Sequence, residues 1–180
     1  YKSSAKAWFG SIFAAFEPAV FKIYSNLSQG NHQYWWFFYC LNPCSFTAMK
    51  YLYLVRHAKS SWADVAQADF DRPLNERGQR DAPVMAARLQ QRGVQPDLLV
   101  TSTARRALKT CKLFAAAWQV QESVIVQQPQ LYLAAPPVFA RVVQQLPQTC
   151  NHVLVFAHNP GITEFANQLT NVRIDDMPTC

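Results

Sequence analysis

Four short apolar runs constrain the fold of this chain more than any other feature. None of them alternates apolar with polar residues, which is typical of strands whose two faces are both covered, as in a parallel sheet. Segments with helical periodicity separate and follow the runs. This alternation predicts an α/β fold, a three-layer sandwich around a mostly parallel sheet. The runs are YLYLV (51–55), DLLVT (97–101), SVIVQ (123–127) and HVLVFA (152–157).

Each predicted helix carries one apolar stripe. Pro83 lies inside the first helix, and we expect it to kink or restart that helix. Ser102 or Thr103 is suited to cap the second helix, and Asn159 followed by Pro160 is typical of the start of the last one. The four helical segments are 75–92, 103–118, 137–146 and 160–170.

Residues 1–48 differ in composition from the rest of the chain. They hold seven of its twelve Phe and three of its five Trp, and Met49 follows them directly before the first predicted strand. We therefore expect a functional domain over 49–180 and an atypical aromatic-rich extension over 1–48 that is non-native or disordered. A membrane-surface anchor is the alternative for this extension, although its poor helical periodicity argues against membrane binding.

The formal net charge of +6 suits an anionic ligand. The basic residues form no run and do not interleave with aromatic residues, so nucleic acid is not an expected partner. Five scattered cysteines predict free thiols in a reducing cytoplasm rather than a disulfide scaffold. Cys40 and Cys44, with His32 nearby, leave a metal half-site open as the less favoured alternative.

Polar side chains follow three of the four predicted strands at the point where each strand ends. The carboxyl ends of parallel strands share one edge of the sheet, where ligands bind in open α/β folds. Taken singly, each group is typical of a surface loop, a turn or a solvated helix face. Together they predict an anion site. The groups are Arg56 with His57, Ser102 with Arg105 and Arg106, and His158 with Asn159.

The chemistry of these groups indicates a phosphoryl ligand. Arginine forks match phosphate oxygens bidentately, and the predicted helix starts at this edge also favour anions. His57 is the candidate nucleophile, because a neutral imidazole nitrogen can attack phosphorus and carry a phosphoryl group. The adjacent charge of Arg56 disfavours protonated His57 and keeps its lone pair available.

Three segments, in order, resemble the signature of the histidine phosphatase superfamily, also called the phosphoglycerate mutase-like family. That signature is a strand followed by Arg-His-Gly, then Ser-Pro-x-x-Arg-Ala-x-x-Thr, then Gly-His. Within the family, RHAKSSW, DFDRPLNERG and AHNPG are similar to the short phosphohistidine phosphatase (SixA-type) branch. The resemblance covers about residues 49–180, and its segments are VRHAKS (55–60), TSTARRALKT (101–110) and VFAHNPG (155–161).

The resemblance implies roles for four matched positions and implies no metal or other cofactor. His57 would be the phosphorylated nucleophile. His158 would donate to a non-bridging phosphoryl oxygen in the transition state, and two arginines would clamp phosphoryl oxygens. The predicted catalytic residues are His57, His158, Arg56 and Arg106. The predicted substrate-binding residues are Arg56, Arg106, Ser102 and Asn159.

The general acid of longer family members has no counterpart here. Gln130 stands where an acidic residue often lies. Asp64, Asp69 and Asp71 follow His57 in sequence and are candidate substitutes. The alternative, which we favour for the last two, is a role in loop structure, such as an Asp71–Arg72 pair. The chain also stops at 175–180, where the family continues into another strand, so we expect a C-terminal truncation.

These features predict a metal-independent phosphatase with a phosphohistidine intermediate. Phosphohistidine proteins are the favoured substrate, because a labile P–N bond needs little proton donation and short loops leave the pocket open to a protein surface. A small-molecule phosphomonoesterase and a catalytically silent phosphate-binding adaptor are the alternatives. Phosphoglycerate mutase activity is disfavoured, since the lid insertions and the acidic partner are absent.

Overall fold

The sheet has five strands in the described part of the chain. A computed structural model describes residues 51–180 and the backbone of Phe38–Tyr39. The strands are β1 (Phe38–Tyr39), β2 (Tyr51–Arg56), β3 (Leu98–Thr101), β4 (Ile125–Gln127) and β5 (His152–Ala157). Their order is β1-β2-β5-β3-β4; β1 is antiparallel to β2, and the other neighbours are parallel. The predicted mostly parallel sheet is confirmed.

Helices cover both faces of this sheet. The α-helices are α1 (Glu76–Gln91), α2 (Arg105–Ala117), α3 (Pro136–Gln144) and α4 (Gly161–Leu169). Buried residues of α1 and α2 form one hydrophobic cluster with one face of the sheet, and α3 and α4 share a second cluster with the other face. The predicted three-layer sandwich is therefore confirmed.

Strand β5 shows why its sequence is a continuous apolar run. Leu154 and Phe156 belong to the cluster under α1 and α2, while Val153 and Val155 belong to the cluster under α3 and α4. Successive side chains of a strand point to opposite faces, and both faces of β5 are covered. The run therefore buries every residue from Val153 to Ala157.

The strand predicted over 123–127 is shorter in the structure. Glu122–Val124 forms a 3₁₀ turn, and only Ile125–Gln127 pairs, with β3 alone. As the last strand in the sheet order, β4 leaves Val126 exposed. The prediction that both faces of this strand are covered is therefore wrong for β4.

α1 runs through Pro83 without a break, so the helix does not restart there, and the expected kink stays a prediction. A proline inside a helix removes one backbone hydrogen bond. Here the helix buries Ala82 and Met85 on either side of Pro83, and also Ala86 and Leu89. We infer that packing of this stripe outweighs the lost hydrogen bond.

The predicted helix caps are also wrong. α2 is preceded by Ala104 and α4 by Pro160, and neither residue makes a side-chain capping hydrogen bond. Ser102 Oγ instead accepts the N–H of Ala104 one position before α2 begins. The Asn159 side chain is used in contacts with the C-terminal segment, as described below.

Most of the expectations for the first 50 residues lie outside the described residues. These include the metal half-site at His32, Cys40 and Cys44, and the nature of the extension over 1–48; the domain boundary at Met49 stays a prediction. Within the described part, no helix is both long and apolar enough to cross a membrane. Residues 170–180 form neither a helix nor a strand.

The start of α4 packs directly on the chain after β4. A Cβ atom at Gly161 would lie 1.7 Å from the backbone oxygen of Ala134. We expect Gly161→Ala to lower the free energy of unfolding by about 2 kcal/mol or more, because one of the two backbones must shift. Urea unfolding measures this, with Gln168→Ala on the exposed face of α4 as the control. Equal stability of the two variants would contradict the close approach.

Candidate active site

The two predicted site histidines lie side by side at the carboxyl edge of the sheet. β2 and β5 pair in parallel from Tyr51↔His152 to Arg56↔Ala157, so both strands end at the same level. The backbone N–H of His57 then donates to the carbonyl of Ala157 over 3.1 Å. The ring centroids of His57 and His158 are 5.1 Å apart. Residues a hundred positions apart in sequence thus share one site.

His57 has a defined tautomer. Its Nδ1 lies 2.8 Å from the carbonyl oxygen of Ala58, and since a carbonyl only accepts, Nδ1 carries the proton. Its Nε2 accepts from Nε of Arg106 over 3.2 Å. Burial, helped by the charges of nearby arginines, lowers the pKa of His57 to about 4 against the opposing hydrogen bond to Ala58. At neutral pH, His57 is therefore uncharged, with its electron pair on Nε2.

Arg106 is held against His57 by the first turn of α2. Its side chain is almost completely buried. One turn later, the Thr110 hydroxyl donates to the Arg106 carbonyl over 2.7 Å and accepts the Ala58 N–H over 3.0 Å. This hydroxyl joins α2 to the loop that carries His57. Of the two adjacent arginines named at this edge, Arg106 contacts His57, whereas Nη1 of Arg105 points to the Asp71 carbonyl.

His158 contacts the predicted substrate-binding residue Ser102. Ser102 Oγ is 2.9 Å from Nε2 of His158, and it also accepts the N–H of Ala104. Nδ1 of His158 is buried and has no hydrogen-bond partner among the described residues. When the Ser102 hydroxyl donates to Nε2, Nδ1 carries the proton and is a free donor. Burial, together with the neighbouring His57 and Arg106, lowers the pKa of His158 to about 3.

Arg56 and Asn159 both contact the C-terminal segment. Nη1 of Arg56 donates to Asp176 over 2.9 Å and to the Met177 carbonyl over 2.6 Å, while its buried Nε has no partner among the described residues. The Asn159 amide donates to the same carboxylate and the same carbonyl, and its oxygen accepts from Thr163. Both predicted residues thus hold the C-terminal segment, while Nε of Arg56 is left without a partner among the described residues.

Asp69, for which the sequence analysis favoured a role in loop structure, contacts the residues of the site. Asp69 forms ion pairs with Arg106 and Arg72, each at 2.8 Å, and accepts from the Tyr132 hydroxyl, also at 2.8 Å. The expected Asp71–Arg72 pair is therefore wrong. Asp69–Asp71 is a 3₁₀ turn. Side chains three positions apart lie on the same side of such a turn, so Asp69 rather than Asp71 reaches Arg72.

Sequence reasoning missed Arg72 and Tyr132 as site residues. Arg72 is buried, stacks on the Trp62 ring at 3.6 Å, and reaches Asp69. The Tyr132 ring packs edge-on against His158, with 5.5 Å between centroids. The spacing Asp-x-x-Arg was the available signal for Arg72, and no local pattern marked Tyr132. The candidate acids Asp64 and Asp71 enter none of the ion pairs among residues 51–180.

The arrangement combines a neutral imidazole electron pair, buried guanidinium groups and a second imidazole within one pocket. It can bind an oxyanion and present a nucleophilic nitrogen to it. No three metal-ligating side chains come together among the described residues. The site and fold together define an α/β protein with an anion-binding pocket at the carboxyl edge of its parallel strands.

Comparison with known proteins gives the family. A family model of the histidine phosphatase superfamily (branch 1) matches residues 52–131. An uncharacterized chloroplastic protein of Arabidopsis thaliana is 30% identical in an alignment 144 residues long, which covers 72% of this chain and 62% of that protein. An uncharacterized protein of Mycobacterium tuberculosis is 30% identical over 122 residues, 68% of this chain and 73% of that protein.

A solved structure points to the same family. The crystal structure of a protein assigned as phosphohistidine phosphatase SixA from Agrobacterium tumefaciens has 30% sequence identity and a TM-score of 0.59, covering 65% of this chain and 74% of that chain. This chain belongs to the histidine phosphatase superfamily and is SixA-like. It spans less than two thirds of the length of the Arabidopsis relative.

The buried histidines make stability depend on pH. His57 and His158 have an ordinary pKa of 6.5, lowered to about 4 and about 3 in the folded state. Between these values the unfolded chain binds more protons than the folded one, so stability falls as the pH drops from about 6.5 to about 4. Urea unfolding at pH 7 and pH 5 measures this loss. His57→Asn should show a smaller loss, and an undiminished one would contradict the assignment.

Proposed function

We propose that this protein is a metal-independent phosphatase that works through a phosphohistidine intermediate at His57. The observation that carries the proposal is the state of this imidazole. Nδ1–H is bound to the Ala58 carbonyl, and the Nε2 electron pair faces the buried guanidinium of Arg106. A neutral, oriented nitrogen beside a cation is what attack on a phosphoryl group requires.

The reaction has two balanced steps. The hydrogen bond from Nε of Arg106 to Nε2 of His57 first breaks and frees the electron pair. Nε2 attacks phosphorus, the P–N bond forms, and the bond from phosphorus to the leaving group breaks with its electron pair on that group, which takes a proton from solvent. Water then attacks phosphorus, the P–N bond breaks, and inorganic phosphate leaves with the imidazole restored. Arg106 and Arg56 stabilise the oxygens whose charge increases, and His158 donates from Nδ1.

A phosphohistidine protein is the substrate that the site favours. Asp69, the acid at the centre of the site, has a lowered pKa: its hydrogen bonds to Tyr132 and Arg106 and the charges of Arg106 and Arg72 together outweigh burial. An ionised carboxylate is a poor proton donor, so a substrate with a good leaving group is favoured. The similarity to a protein assigned as a phosphohistidine phosphatase agrees with this choice.

The proposed setting is a reducing compartment such as the cytoplasm. Cys111, Cys150 and Cys180 are free thiols in the structure. Burial raises the pKa of Cys111 and of Cys180 to about 12, which keeps these two thiols protonated. Neither thiol is therefore a competing nucleophile in the proposed reaction.

His57→Asn should abolish hydrolysis of a phosphohistidine peptide and also remove acid-labile phosphate label from the protein. The reason is that the variant has no nucleophilic nitrogen at this position. His152→Asn is the matched control, because His152 starts β5 at the opposite end of the strand that leads to His158. It should retain both signals. Label retained by the His57 variant would refute the intermediate.

Arg106→Lys should lower kcat/KM by about 100-fold, comparable with the loss of one oxyanion donor, because lysine cannot contact His57 and the phosphoryl oxygens with one fork. Arg105→Lys, the neighbouring exposed arginine, serves as the control. A rate within twofold of the unmodified protein would contradict the role of Arg106.

A panel of a phosphohistidine peptide, a sugar phosphate and an aryl phosphate separates the substrate classes. We expect the highest kcat/KM with the phosphohistidine peptide. Faster turnover of the sugar phosphate would identify a small-molecule phosphomonoesterase. Saturable phosphate binding without turnover of any compound would identify a phosphate-binding adaptor.

A further inference from the structure

The Asp69 carboxylate occupies the phosphoryl-binding face of Arg106. Nε of Arg106 points at His57, Nη2 is 2.8 Å from the carboxylate, and Nη1 donates to the main-chain oxygen of Asp69. All three nitrogens of this guanidinium are therefore engaged. A phosphoryl group attacked by His57 needs the edge that Asp69 now holds, since Arg106 itself contacts the attacking nitrogen.

The remaining partners of Asp69 also resemble those of a bound oxyanion. Arg72 reaches one carboxylate oxygen, and the Tyr132 hydroxyl donates to the other, both at 2.8 Å. The carboxylate thus lies among two guanidinium groups and one hydroxyl, the kind of donor set that binds phosphate. Because its pKa is lowered, the group is an anion at neutral pH.

We propose that Asp69 is a tethered competitor, which fills the phosphoryl subsite of the free protein and must leave Arg106 before a phosphorylated substrate binds. The incoming oxyanion then takes the donors of Arg106, Arg72 and Tyr132 in its place. Asp69 thereby sets the affinity of the site for phosphate. The identity of the substrate in this inference rests on the proposed function. The competition itself requires only that the incoming ligand is an anion.

The segment that carries Asp69 is lightly packed, so its displacement disturbs little of the core. Its 3₁₀ turn, Asp69–Asp71, buries no residue. Earlier in the same segment, Val65 is 95% and Trp62 is 70% exposed. Arg72 is buried, whereas the Asp69 side chain is 43% exposed. Asp69 can therefore move while Arg72 keeps its place.

A second carboxylate, Asp176, contacts the other clamp arginine, Arg56, but its position differs. The Asp176 side chain is 69% exposed, and an exposed ion pair contributes little. The Asp69 side chain is 43% exposed, and its partner guanidinium, that of Arg106, is only 3% exposed, against 23% for Arg56. Of the two carboxylates, Asp69 is therefore the stronger competitor for an incoming anion.

The test is the affinity of Asp69→Asn for orthophosphate and vanadate, measured by calorimetry and by inhibition. Asparagine keeps the shape of the side chain and removes its charge. We expect both anions to bind about tenfold or more tightly than to the unmodified protein, because the competing charge-assisted contacts are lost. Orthophosphate should also raise the melting temperature of the variant more than that of the unmodified protein.

Asp71→Asn is the matched control. It lies in the same turn and makes the same change in net charge, but its carboxylate enters no ion pair among the described residues. We expect its affinity for both anions to stay within about twofold of the unmodified protein. An equal gain in the two variants would show a general charge effect and overturn the proposal.

Two other outcomes overturn it as well. Weaker anion binding by Asp69→Asn would mean that Asp69 only positions Arg106. Unchanged anion binding with a fall in kcat that grows for poorer leaving groups would mean that Asp69 donates a proton. Should the asparagine variant fail to fold, Asp69→Ser removes the same charge and gives the same comparison.

These measurements are independent of turnover. Tighter anion binding by Asp69→Asn in a protein that hydrolyses no substrate would uphold the competition and refute the proposed phosphatase function. Turnover of phosphohistidine peptide by the unmodified protein, with no gain in anion affinity in the variant, would uphold the phosphatase function and refute the competition.

Discussion

The parallel pairing of β2 with β5 is the constraint on which the rest of the site depends. Six residue pairs from Tyr51↔His152 to Arg56↔Ala157 bring both strands to an end at the same level. His57 and His158 are the first residues after these strand ends, so the strand pairing itself brings their rings close together. A shift of this register by one residue would turn each apolar side chain to the other face of the sheet, so both helical layers hold it in place.

The second constraint is the burial of a charge. Arg106 is almost fully covered and faces an uncharged imidazole, which gives its charge no compensation. A guanidinium removed from water needs an anion or strong acceptors. In the free protein Asp69 is that anion. The buried charge of Arg106 suits the pocket to a phosphoryl group, and the same charge attracts the Asp69 carboxylate into the pocket.

Much of the site followed from local sequence because it lies at strand ends. Apolar runs predicted the strands, and parallel order placed Arg56, His57 and His158 at one edge of the sheet together with two adjacent arginines, of which the family resemblance selected Arg106. Asp69, Arg72 and Tyr132 did not follow in this way. Asp71 is next to Arg72 in the chain, yet in the 3₁₀ turn the ion pair of Arg72 forms with Asp69. Tyr132 reaches Asp69 across 63 positions, which no local pattern encodes.

The sequence by itself determined the α/β layering, the residues that end each strand and the kind of ligand they suit, because these depend on periodicity and on residue type. Only the tertiary structure decided which nitrogen of His57 holds the electron pair, which carboxylate neutralises Arg106, and what Ser102 and Asn159 contact. These depend on distances between groups brought together from separate loops. Hydrogen bonds and ion pairs weaken steeply over an ångström or two, and a sequence pattern does not specify positions that closely.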